Sequence, residues 1–220
     1  MKTKILMHSL FEEIYHQIIR EESDVEVFQL LKTVVDNYTL FEPTWHALGF
    51  IHCKLGEFSK GTLRLHIWPS NENHDFEQKE KIHDHRFSLR SHVVVGTISN
   101  EIFNIIEGDK NNSEYQSYEV EYLDVGSRLI PTGSYCNIEL EKSYITRDND
   151  SYSVSSEELH RSTSLASSFS LTLVATFNHI NKPPIMLGKA CRSNFVSRDI
   201  VLYDKKKWVS YLNSALCLIE

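Results

Sequence analysis

No run of about 18 consecutive apolar residues occurs in this 220-residue chain, which excludes a membrane-spanning helix. The short apolar stretch behind Met1 is soon interrupted at Glu12 and Glu13, so it is not expected to act as a secretory leader. Positive charge is scarce. Lys and Arg total 23 against 30 Asp and Glu, a formal net charge of -7, which argues against the basic footprint that nucleic-acid binding requires. A small anionic ligand is not excluded, because one local arginine can bind it. The four cysteines (Cys53, Cys136, Cys191 and Cys217) form no C-x-x-C pair, so a reduced, intracellular and cytoplasmic chain is expected. There is no internal repeat, no low-complexity tract, no G-x-S-x-G elbow and no phosphate-binding glycine loop.

What the chain does contain is enough apolar material for a sizeable core, at 41% hydrophobic and 11% aromatic residues. A single domain over 1–220 is expected, with a helical region at 1–45, a β region at 46–203 and a closing helix at 204–220. Leu10, Ile14 and Ile18 recur at helical spacing within 5–20. Ser23 and Glu26 have capping-box spacing ahead of the stripe Phe28, Leu31, Val35 and Tyr38. These stripes are read as faces packed on a sheet. Pro43 ends the helical region and the period then changes to two. Gly49–Leu55 is strand-like, and Gly56 and Gly61 flank a turn. In Thr62–Trp68 one face carries Leu63, Leu65 and Ile67 and the other Arg64, His66 and Trp68. The second face suits either a pocket wall or an amphipathic edge. Pro69–Lys81 reads as a polar loop in which His74 is solvated. Strands are expected at 87–95, 98–106, 115–123, 127–131, 137–146, 151–155, 168–177 and 199–203, the pattern of a mainly β sandwich or barrel. Asp204 is the expected cap of the last helix.

The chemistry is expected at Ile82-His83-Asp84-His85. Two histidines one residue apart on a strand point to one face and supply half of a metal's ligands. A third ligand must come from elsewhere, and His160 in Ser155-Ser156-Glu157-Glu158-Leu159-His160 is the first candidate, with His66 as an alternative. His92 and His179 are read as packing or surface residues.

These motifs resemble the cupins, small double-stranded β-helix barrels, over about residues 47–180. In that family a first motif carries H-x-H, an acid three or four residues later and then a glycine; His83, His85 and Gly96 match. The second motif, G-x5-P-x-G-x2-H, keeps its spacing at Asn149, Ser155, Glu157 and His160, with only the histidine retained. Pro131-Thr132-Gly133 competes, but leads to Cys136 at the ligand position. Where the acid should be stand Leu89 and Arg90, so the chain resembles the three-histidine branch of thiol dioxygenases such as cysteine dioxygenase. The Ser-x-His-x-Tyr of those enzymes is replaced here by Leu173-Val174-Ala175-Thr176-Phe177.

The resemblance implies metal ligation by His83, His85 and His160, with Fe(II) favoured over Zn, Mn or Ni, and a homodimer. It points to an oxygenase or dioxygenase acting on a small polar or anionic metabolite. The alternatives are a non-catalytic ligand-binding cupin and a metal-dependent isomerase or lyase. Arg90 and Arg64 are the candidate anion partners, since guanidinium binds a carboxylate in a bidentate way. Arg90 would need a bulge, because strict alternation turns Leu89 inward instead. Arg161, next to a ligand, is expected to point away.

Overall fold

A computed structural model describes residues 2–70, 72, 81–190 and 196–220. The chain begins with α1 (Lys2–Ile19) and α2 (Val27–Asp36). The first strands are β1 (Thr44–His46), β2 (Phe50–Phe58), β3 (Gly61–Pro69), β4 (Ile82–His83), β5 (Ser88–Val95), β6 (Thr97–Gly108) and β7 (Tyr115–Leu123). They continue with β8 (Gly126–Arg147), β9 (Ser151–Val154), β10 (Leu159–Ser164), β11 (Phe169–Phe177), β12 (Ile185–Lys189), β13 (Val196–Asp199) and β14 (Val201–Leu202), before α3 (Lys205–Ile219). His74 and Cys191 lie outside the described residues.

The strands form two sheets. One runs β14-β1-β2-β3-β11-β5-β9. The other runs β13-β8-β6-β10-β4-β12-β7, and β7 pairs in turn with β8, so the pairing returns on itself. This is possible because β8 is long: its first half pairs with β7 and its second half with β6. Sequence reasoning split β8 at Pro131-Thr132-Gly133; the strand instead passes through that point, with Gly133 at φ +85° and an irregular register against β7. Strands β1, β10, β12 and β13 lie outside the expected ranges: the polar residues of β10 hide its alternation, and β1, β12 and β13 are only three to five residues long.

Period-two patterning sorts the first sheet. Leu63, Leu65, Ile67, Ile51, Cys53, Leu171 and Leu173 face outward and are buried under the three helices, against Phe11, Ile14, Leu30, Leu31, Trp208 and Leu212. The opposite face packs toward the second sheet through Phe50, Trp68, Phe87, Leu89, Val93 and Val174. Asp204 caps α3, its carboxylate accepting from the Lys207 backbone N–H at 2.8 Å. Lys205, unfavourably placed for the helix dipole, finds Glu42 at 2.6 Å. The capping box at Ser23 is not formed. Helix α2 starts later, Glu26 occupies the cap position, and its N–H donates to Gln17 Oε1 at 3.2 Å.

One glycine at the α1 edge of this layer is there for want of space. A Cβ on Gly61 would sit 1.7 Å from the Thr176 carbonyl oxygen, the same oxygen that accepts the Tyr15 hydroxyl at 3.0 Å. Gly61→Ala must push β3 from β11 and break that anchor. We expect a loss of about 1–3 kcal/mol, the usual range for overpacking. Urea unfolding checks it; a variant as stable as the parent would show that this approach is not tight.

Candidate metal centre

The site is assembled on β4, β10 and the segment leading into β5. His83 and His160 are direct cross-strand partners, the one register pair joining β4 to β10. His85 reaches the same face two residues on, while Ile82 turns the other way into a small apolar cluster with Phe103, Leu159 and Leu187. Asp84, between the two histidines, also turns away and is buried. Its backbone N–H donates to the Ile185 carbonyl at 2.9 Å, and its carboxylate accepts from the Ile185 N–H, extending the β4–β12 contact past the strand's formal end. Burial pushes the Asp84 pKa up, opposed by that N–H and by Lys182.

One nitrogen from each of His83, His85 and His160 lies within 4.8 Å of the others. The Nε2 atoms of His85 and His160 are 3.0 Å apart. Two imidazoles held at ~2.1 Å from a common ion and at a right angle subtend about that distance. The supporting contacts leave the inward nitrogens free to ligate. His83 Nδ1 lies 3.0 Å from the Lys81 carbonyl, which only an Nδ1–H can satisfy. The Ser162 hydroxyl donates to Asn100 Oδ1 at 2.7 Å and lies 3.4 Å from His160 Nδ1, so it can accept from that ring. His85 stacks on Phe87, with centroids 4.9 Å apart. This outer layer fixes tautomer and ring orientation as metal-bound histidines require. Burial lowers all three pKa values, that of His83 to about 4, with each charged neighbour adding repulsion at His85. The rings are therefore neutral and able to ligate at ordinary pH. The three-histidine cluster can hold a transition-metal ion.

The cluster opens into a cavity of about 360 Å³ between the sheets. Its walls include Arg64, His66 and Trp68, the odd face of β3, together with Phe50, His52 and Lys54 from β2 and His46 from β1. The second sheet and its connections add Arg86, Phe87 and Tyr122; Tyr152 and Val174 come from β9 and β11. No carboxylate lines this cavity among the described residues, although the chain is acidic overall.

His66 belongs to this far wall, against Phe50 and His52, and it is His160 that joins the His83–His85 pair. Cys136 lies in the separate cluster behind Ile82. Alternation holds on β5: Leu89 faces the cavity, and Arg90 turns outward to Ser153 Oγ (2.9 Å), the Ile19 carbonyl and the Glu21 carboxylate. No bulge brings Arg90 inward. Arg161 also points away, paired with Glu101 at 2.6 Å. His92 is buried beside Ser151, and His179 is exposed near Thr176.

Sequence reasoning missed His46, His52, Tyr122 and Tyr152 as cavity walls. For His52 a signal was present, since Phe50, His52 and Lys54 share one face of β2 just as Arg64, His66 and Trp68 share one of β3, and the two strands pair His52 with His66. Compared with known proteins, the sequence matches no family model and no curated protein.

Proposed function

We propose that this chain is a metal-dependent cupin, an Fe(II) oxygenase or dioxygenase acting on a small anionic metabolite. The observation that carries this reading is the convergence of three neutral imidazoles, His83, His85 and His160, with no carboxylate among them. Such a ligand set leaves the ion's charge uncompensated and so favours an anionic chelating substrate. When bound, iron supplies Lewis acidity and a redox partner for dioxygen. Zn, Mn or Ni would suit the same imidazoles and a different reaction.

The chain's own residues have definable work. Arg64 faces the cavity, and its guanidinium is the cation on this wall best placed to orient an anion. Burial lowers its pKa, but it stays charged. Phe50, Trp68, Phe87, Leu89 and Val174 exclude water around the reacting groups. The Tyr152 phenol, buried beside Ser91 and Ser162, has its pKa raised by burial and so keeps its proton at Oη, within the cavity that the ligands open into. The reading carries with it a cytoplasmic homodimer built on one domain.

The test is dioxygen consumption by protein loaded with Fe(II) under anaerobic conditions, across a panel of small carboxylates, enolates and thiolates. Uptake that needs both iron and one substrate, and that is lost in His85→Ala, is the expected result. Turnover without dioxygen would move the assignment to an isomerase or lyase. Saturable binding without turnover of any kind would move it to a non-catalytic binding cupin.

A further inference from the structure

The wall facing the three-histidine cluster carries polar groups that nothing among the described residues satisfies. His52 and His66 are register partners across β2 and β3, with ring centroids 5.4 Å apart. The Nε2 of each is buried without a hydrogen-bond partner, as is the Trp68 indole Nε1. Folded proteins seldom leave such atoms orphaned, because each forfeits its hydration for nothing in return. Arg64, on the same face of β3, donates its Nε–H to Thr62 Oγ1 at 2.9 Å, its one hydrogen bond among the described residues. Its guanidinium carbon lies 4.8 Å over the Phe87 ring, and no carboxylate pairs with it among the described residues. Guanidinium stacked on an aromatic face keeps its terminal N–H groups oriented in a fixed plane, ready for a bidentate acceptor.

These groups project from the first sheet, whereas His83 and His160 project from the second. One cavity joins them, and its volume suits only a small molecule. A divalent ion with three neutral ligands at one end and Arg64 at the other put more positive charge on that molecule than one acid group offsets.

We propose that Arg64, His52 and His66 form an oxyanion subsite on the wall facing the metal centre, so that the substrate is a compact metabolite with two acid groups. One group meets the metal and the other is held by the Arg64 guanidinium and the two imidazoles. The second group is a carboxylate or a phosphate. This inference rests on the reading of the three-histidine cluster as a metal centre, but the subsite itself needs no metal.

The experiment therefore begins with the full chain stripped of metal. Inorganic phosphate and, separately, glutarate are titrated while the histidine ring resonances are followed by NMR. The signals of His52 and His66 are identified through His52→Gln and His66→Gln. We expect saturable shifts of both rings with one site per chain, weakened at least tenfold in Arg64→Gln and unchanged in His83→Ala. The tighter of the two anions names the acid group. Shifts absent from both rings, or equal in Arg64→Gln, overturn the proposal. The wild-type protein provides a second arm that needs no variant. With zinc loaded, glutarate is expected to bind at least tenfold more tightly than butyrate, and equal affinities overturn the two-acid substrate. Failure of the wild-type protein to take up zinc would sink the metal reading alone, leaving the phosphate titration to decide the subsite.

Discussion

Replacing His160 by alanine is expected to lower the protein's affinity for a divalent transition metal by at least about a hundredfold, since losing even an outer-layer partner costs roughly 10–100-fold. His83→Ala should do the same, because His83 and His160 are cross-strand partners contributing one nitrogen each. Two controls make the result specific. Cys136→Ser should leave affinity unchanged, as Cys136 packs behind Ile82 and away from the cluster. His66→Gln should also leave it unchanged, because His66 stands with Phe50 and His52 on the far wall. Affinity is read by competition with a chromophoric chelator, and stoichiometry by metal analysis of protein purified without chelators. Circular dichroism confirms that each variant folds. Wild-type protein that takes up no metal, or His160→Ala that takes it up as well as wild type, would falsify the assignment of the cluster.

The second large effect is on stability in mild acid. His46, His52, His66 and His92 lie outside the cluster, and burial is the first cause lowering the pKa of each, that of His52 to about 3. Arg64 and Lys54 add repulsion at His52, and Arg64 and Arg198 at His46; only Asp150 opposes the shift, at His92. The sign follows directly. In the unfolded chain these imidazoles protonate near pH 6.5, and in the folded protein His46, His52 and His66 stay neutral well below it. The unfolded state therefore binds more protons as pH falls from 6.5, and stability drops through that window. Each group contributes about 1.4 kcal/mol per pH unit once its unfolded form is charged, and in the metal-free protein the cluster's His83, His85 and His160 add to His46, His52 and His66, so six give about 8 kcal/mol per unit. Against a total stability of roughly 5–15 kcal/mol, that unfolds the metal-free protein within about two units of pH 6. Urea unfolding of the metal-free protein followed by circular dichroism between pH 7 and pH 5 measures the slope, and His66→Gln should reduce it by about a sixth. A stability independent of pH across this range would show that these rings are already protonated in the fold.

Local pattern was sufficient for part of this protein. Alternation in Thr62–Trp68 separates the helix-facing Leu63, Leu65 and Ile67 from the cavity-facing Arg64, His66 and Trp68, because side chains on a strand alternate whatever the strand pairs with. The same rule sets His83 and His85 on one face and turns Leu89 rather than Arg90 inward. The α1 stripe and the Asp204 cap are legible for the same reason, since each depends on neighbours within four residues, but the expected α2 face is not the buried one: Val27, Leu30, Leu31 and Val34 are buried, Phe28 is exposed and Tyr38 lies beyond the helix. Choosing among His160, His66 and Cys136 is a different kind of question. Strand pairing between distant segments is not encoded in a residue's near neighbours, and a register slip of one residue would turn His160 to the opposite face. Tertiary structure decided that β10 lies beside β4 with His160 opposite His83. It also gave Arg90 to Glu21 just past the end of α1, and brought His52 and His66 together on a wall that no acid among the described residues meets.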